Sequence, residues 1–331
     1  RLCILEQFLI TSPHDVVDLF FASWPIDLIF RLRATSMTLF CAVEAYRLRT
    51  WNPVGVLEPF FADVRSFLAM LDKCDGVVSG SQVVRLLQRA AFPDPGSDLD
   101  IFVPRHGLLR MGRWLKRHGY VYQSSGRKHV FFDVEVIRSA SMTSGAVADG
   151  PDTYPSSSRA SHFATYHFIR EEVRRTADGS VLENVVQVVV VDTLPVQYII
   201  NNFHSTGVMN WFTGKYVVSL FPRSTFVHRM SYSCQDLTRS NKDWVHKYRS
   251  RGFEVVLGGG APSKESAEME VWERFVGDPQ TWVMPFAGPG CGLQSSNHIY
   301  EQPRIRFEVI PYYSGVVPAG SYVRIAVPFI Y

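Results

Sequence analysis

No stretch of this chain approaches the eighteen or so consecutive apolar residues that a membrane-crossing helix needs, so no membrane partner is expected. Excess charge is also lacking. The 34 Lys and Arg nearly cancel the 31 Asp and Glu, leaving +3 over 331 residues. With no concentrated basic run interleaved with aromatics, duplex nucleic acid is not indicated. Cysteine is scarce: five residues, Cys3, Cys41, Cys74, Cys234 and Cys291, odd in number and widely spaced. No Cys-x-x-Cys pair or His cluster points to zinc, nothing points to a disulfide framework, and a reducing cytoplasmic or nuclear setting fits best. The chain starts with Arg rather than Met, which leaves any targeting peptide out of view. What remains is ordinary globular material, 46% hydrophobic, long enough for a sizeable core in two lobes.

Chemistry concentrates between Val77 and Pro104, VVSGSQVVRLLQRAAFPDPGSDLDIFVP. A short apolar strand ends in Ser79-Gly80-Ser81, an amphipathic helix follows, and a second strand opens with Asp98-Leu99-Asp100. Successive strand side chains alternate faces, so Asp98 and Asp100 project together. Two adjacent carboxylates suit Mg²⁺ or Mn²⁺, hard ions that bind through one or two carboxylates plus substrate phosphates. Gly80 lets backbone approach a phosphate, and the N–H groups opening the next helix, from Ser81, point at an anion. A phosphate cradle followed by a carboxylate pair reads as nucleotide handling.

Gly-Ser, a helix and Asp-x-Asp with apolar flanks resemble the polymerase-beta-type nucleotidyltransferase superfamily. The wider segment from Ala34 to Val103, with VVQVVVVDTLP, FHSTGVMNWFTGKYVVSLFP and the KYRSRGFEV block, is similar to uncharacterised fungal nucleotidyltransferase-like proteins with an F-box-like amino-terminal segment. The resemblance implies an α/β (α+β) fold: a small mixed-sheet core over residues 75–196, flanked by a helical segment (1–74) and a mixed C-terminal lobe (197–331). It also implies metal-dependent transfer of a nucleotidyl group from a nucleoside triphosphate to an acceptor hydroxyl. Asp98 and Asp100 would hold the metal, and Gly80 and Ser81 would grip the departing pyrophosphate. The F-box likeness, carried by Trp24-Pro25-Ile26-Asp27-Leu28-Ile29, implies a ubiquitin-ligase adaptor as partner; the other reading is that these helices pack on the catalytic lobe.

Active members of that superfamily add a third carboxylate from a neighbouring strand. The candidate strand Val185–Asp192 is almost wholly β-branched, and its mid-strand polar residue is Gln187, which accepts a hydrogen bond but is no base. HVFFDVEVIRS reads as another strand, placing Asp133 and Glu135 on one face as alternative catalytic acids, while Asp192 lies at the far end of its own strand. Two readings stay open: an active enzyme, or a catalytically silent descendant that binds a nucleotide or a protein. Arg85 and Arg89, one helical turn apart, and Arg127 and Lys128 are candidate triphosphate ligands. Trp211, Phe212, Tyr216 and Trp244 are candidates for stacking a base.

Elsewhere, residues 1–75 read as helices broken at Pro13 and Pro25, and Leu108–His118 as an amphipathic helix closed by Gly119. Residues 139–161 read as a Ser/Gly/Pro-rich mobile loop, Val196–Phe212, Thr238–Arg251 and Lys264–Val276 as helices, and Arg304–Ile310 and Tyr322–Phe329 as strands.

Overall fold

The computed structural model describes residues 2–89, 98–126, 128–141, 162–175, 181–235, 243–258, 267–269, 273–286, 305–311 and 323–326. Six helices come first: α1 (Ile4–Thr11), α2 (His14–Ala22), α3 (Ile26–Arg33), α4 (Met37–Thr50), α5 (Val54–Leu57) and α6 (Val64–Lys73). Local chemistry starts each of them. Ser36 accepts the Leu39 N–H at 3.2 Å to open α4, and Asp63 accepts the Ser66 N–H at 2.9 Å to open α6. Pro13, Pro25 and Pro53 stand at the starts of α2, α3 and α5, where helix N–H partners are lacking anyway.

The chain then alternates: β1 (Val77–Ser79), α7 (Ser81–Gln88), β2 (Leu99–Pro104), α8 (Arg105–Arg117), β3 (Val121–Gln123), α9 (Phe132–Ser141), β4 (His162–Arg175), β5 (Val181–Val191) and α10 (Pro195–Asn202). Beyond it lie β6 (Asn210–Phe212), β7 (Tyr216–Ser219), β8 (Met230–Tyr232), α11 (Asp243–Ser250), β9 (Glu254–Val256), β10 (Glu273–Phe275), β11 (Trp282–Pro285), β12 (Arg306–Pro311) and β13 (Val323–Ala326). The fold is mixed α/β. Its main sheet has eight strands in the order β11-β7-β6-β1-β2-β5-β4-β3, with β10-β12-β13 and β8-β9 as smaller sheets. Within the main sheet only β2 and β5 run parallel. Strands from beyond residue 196, namely β6, β7 and β11, join the same sheet as the Gly80 strand. No helix among the described residues is long and apolar enough to cross a membrane.

Both sheet faces are covered, which explains the valine run of β5, broken only by Gln187 between Val185 and Val191. Leu99, Ile101, Val103, Val186, Val188 and Val190 pack with α8 and with helix residues such as Phe21, Val43 and Leu71 from the amino-terminal segment. Phe102, Val189 and Val191 point the other way, into a second cluster with Ile199, Trp211, Tyr248, Val255 and Phe307. The amino-terminal helices therefore share one continuous core with the sheet. Arg89, at φ 58° just past α7, fastens them by donating to the carbonyls of Phe21 (3.1 Å) and Trp24 (3.0 Å) and to the Tyr46 hydroxyl (2.9 Å).

Three expectations need correction. The HVFFDVEVIRS segment is helix α9, not a strand: Phe132, Glu135 and Val136 follow an i, i+3, i+4 pattern and turn one helical face inward. Of Lys264–Val276, expected as a helix, the described residues form a short 3₁₀ turn at Ala267–Met269 and strand β10. Val196–Phe212 is helical only to Asn202 and ends as β6. Most of the presumed mobile loop, residues 142–161, lies outside the described residues.

Candidate functional site

The register of the sheet assembles the site. Ser79 pairs with Asp100, Asp100 with Gln187, and Gln187 with His167, so these four side chains form one row on one face. That face is the one Phe102 shares with the C-terminal lobe. Asp98, two residues before Asp100, projects the same way. The Gln187 Nε2 donates to Asp98 Oδ2 at 2.5 Å. Gln187 thus stands where its position in the valine run placed it, beside both aspartates.

Gly80 closes the row against the helix. Its backbone sits at φ 78°, ψ −152°, a conformation essentially reserved for glycine. A Cβ there would lie 2.3 Å from Asp100 Oδ2. Glycine is needed twice over, for the turn from β1 into α7 and for the approach of Asp100. Ser81, the first residue of α7, is buried, and its hydroxyl accepts a hydrogen bond from Arg251 Nη1 at 3.1 Å. Tyr248 shares the same hydroxyl. Arg251 is itself buried and lies over the Tyr248 ring at 5.3 Å.

The electrostatics follow from this crowding. Burial, then the neighbouring Asp98 charge, pushes the Asp100 carboxyl up to about 7, with Lys247 opposing. Burial also raises Asp98, offset by the Gln187 hydrogen bond and by the positive potentials of His167 and Lys247. Among the described residues no donor reaches the Asp100 carboxylate. A recessed carboxylate without a donor, beside a second one on the same face, fits a divalent cation, which would relieve both the desolvation and the mutual repulsion. Asp98 and Asp100 would hold it, leaving further positions for water and phosphate oxygens. Among the described residues no third His, Cys, Asp or Glu joins them in a metal-binding group.

Comparison with protein-family models, with curated proteins and with solved structures finds no match for this chain.

The other candidate acids are engaged elsewhere. Asp133 accepts from Arg113 Nε at 2.6 Å and from Lys116 Nζ at 3.4 Å, and the Arg113 hydrogen bond holds its carboxyl below the usual range. Glu135, also on α9, is buried and accepts from the His129 N–H at 2.7 Å and from Arg138 and Ser139. At i and i+2 of a helix these two do not share a face, so they do not form the expected pair. Asp192 pairs with Arg105 at the far end of β5.

Of the candidate cations, Arg85 is half-buried on α7, Arg89 serves the amino-terminal helices, and Lys128 donates to the Thr165 carbonyl and faces the Tyr166 ring at 5.1 Å. Arg127 lies outside the described residues. Trp211 and Phe212 are buried core residues, while Trp244 stacks on His204 with ring centroids 4.2 Å apart. Burial pushes His204 down to about 3.

The sequence did not single out His167, Lys247, Tyr248 and Arg251. Three of them belong to the KYRSRGFEV block, where Lys247 and Arg251 at i and i+4 carried the signal of a common side.

Proposed function

We propose that this chain binds a nucleoside triphosphate with a divalent cation on a nucleotidyltransferase-type scaffold, and that the transfer step has been lost. One observation carries the reading: Gln187 occupies the strand position beside Asp98 and Asp100 and donates its amide N–H to Asp98. An amide there is a weak neutral ligand and cannot take a proton from an attacking hydroxyl. The rest of the row suits binding. Asp98 and Asp100 hold the cation against phosphate oxygens, Gly80 admits them to the start of α7, and Lys247 and Arg251 supply positive charge from the opposite lobe. The intact carboxylate pair supports the second reading, metal-dependent nucleotidyl transfer to an acceptor hydroxyl. The exposed apolar side chains Ile4, Leu19 and Met37 leave room for a protein partner, such as a ubiquitin-ligase adaptor, on the amino-terminal helices.

Calorimetric titration of a non-hydrolysable triphosphate analogue, with and without Mg²⁺, tests the proposal on the wild type and on Asp98→Asn/Asp100→Asn. Mg²⁺-dependent binding that the double variant loses is the expected result. It should be accompanied by no release of pyrophosphate from natural triphosphates. Pyrophosphate release abolished by Asp98→Asn would overturn the silent reading in favour of transfer, and absence of binding in the wild type would overturn both.

A further inference from the structure

The exposed side of α8 carries cationic charge and no acid. At about 100° per residue, Arg105, Lys116, Arg113, His106, Arg117 and Arg110 fall within an arc of about 140°. Leu108, Met111, Trp114 and Leu115 take the opposite side and are buried. Together with Leu109, five of those cationic residues (all but Arg105) line an open groove of about 670 Å³. Asp133 offsets Arg113 and Lys116 within it, and Asp75 takes His106 at 3.0 Å on its rim. Arg110 and Arg117 rest instead on backbone carbonyls, those of Lys73 and Arg113. Because α8 packs on the Leu99/Ile101/Val103 face, this groove lies across the sheet from Asp98 and Asp100 and is no part of that site.

A second feature adjoins the groove. Val130, Phe131, Val134 and Ile137, at the start of α9 and along it, are exposed at 66, 68, 44 and 65%. Ile137 lies one turn beyond Asp133 on the same side of α9, so the apolar patch begins where the Asp133–Arg113 pair ends. Cationic side chains next to protruding apolar ones match the two layers of a membrane surface, anionic headgroups above an apolar interior. Single-stranded nucleic acid is matched less well. Proteins that hold it stack bases on aromatic platforms in the charged groove, and the apolar residue lining this groove is Leu109.

We infer that the α8–α9 surface docks the protein peripherally on an anionic lipid bilayer, with Arg110, Arg113, Lys116 and Arg117 on phosphate headgroups and Phe131, Val134 and Ile137 entering the interface. No helix among the described residues is long and apolar enough to cross the bilayer, so the contact is with its surface.

Co-sedimentation with phosphatidylcholine vesicles containing roughly one-third phosphatidylserine tests the inference. The wild type should pellet with these vesicles at low salt and stay in solution with pure phosphatidylcholine. Arg110→Gln/Arg117→Gln should weaken partitioning about 25-fold, at about fivefold per charge. Arg110→Lys/Arg117→Lys, which keeps the charge, should bind like the wild type. Phe131→Ser/Val134→Ser should bind at low salt and lose whatever binding survives high salt. Thermal unfolding of each variant controls for folding, which these exposed positions should not disturb. Failure of the wild type to pellet would overturn the inference, as would equal binding by the wild type and the Gln variant. An oligonucleotide that binds the wild type tightly while vesicles do not would assign the surface to nucleic acid instead.

Discussion

Gly80→Ala probes the site at its tightest point. Alanine at φ 78°, ψ −152° costs on the order of 1–3 kcal/mol in backbone strain. Its Cβ, 2.3 Å from Asp100 Oδ2, also forces that carboxylate off its position. One side chain driven off its rotamer adds roughly 0.5–1.5 kcal/mol. Urea unfolding should therefore report a loss of about 2–4 kcal/mol. A double-mutant cycle separates the two parts. In an Asp100→Ala background the overlap is gone and the backbone strain remains, so the cost of Gly80→Ala should fall by about 1 kcal/mol, the rotamer contribution alone. The same variant should lose Mg²⁺-dependent nucleotide binding, because the displaced carboxylate no longer lies beside Asp98. A cost well under 1 kcal/mol would refute the claim of strain at Gly80. An identical cost in both backgrounds would show that Asp100 does not press on Gly80.

Asp100 also sets a pH dependence. Its folded pKa, about 7, lies above the ordinary 3.8, so between those values the folded protein holds a proton that the unfolded chain releases, and stability falls as pH rises through that window. In metal-free protein, Asp100→Asn should be more stable than the wild type by up to about 4 kcal/mol near pH 8, and by little near pH 4, in urea titrations at each pH. Arg89→Met removes three hydrogen bonds to the amino-terminal helices and should cost about 3 kcal/mol, with earlier proteolysis before residue 50. Arg274 is buried with Asp278 at 2.9 Å, and Arg274→Met should cost about 3–5 kcal/mol by stranding that carboxylate, whereas Arg274→Met/Asp278→Leu should recover most of the loss on thermal unfolding.

The parts of the site legible in the sequence are those that short-range rules control. Gly80-Ser81 sits at a strand-to-helix turn, Asp98 and Asp100 share a face by period two, and the valine run of β5 announces a strand covered on both sides. Its mid-strand Gln187 stood out as the one polar residue of that run, and the parallel register of β2 and β5, which no local pattern reports, sets it beside Asp100. Periodicity misled at α9, where FFDVEV alternates like a strand, yet Phe132, Glu135 and Val136 bury the side of a helix. Tertiary packing decided there, with Glu135 held by Arg138, Ser139 and the His129 N–H. The Lys247–Arg251 wall lies about 150 residues from the aspartates. No local pattern reports that Arg251 bonds Ser81, because the contact depends on how β8, β9 and α11 pack over Phe102.

The pairing of β1 with β6 bears on how the molecule is made on the ribosome. β1 carries the turn into Gly80, and one of its two neighbours, Asn210–Phe212, is synthesised some 130 residues later. Until those residues emerge, Val77–Ser79 presents an unpaired edge, and until Arg251 follows them the Ser81 hydroxyl lacks its partner from the far lobe. The cradle is thus read out early and finished late. A nascent chain stalled near residue 196 would carry Gly80, Ser81, both aspartates and Gln187 together with a sticky edge, a species for chaperones to shield.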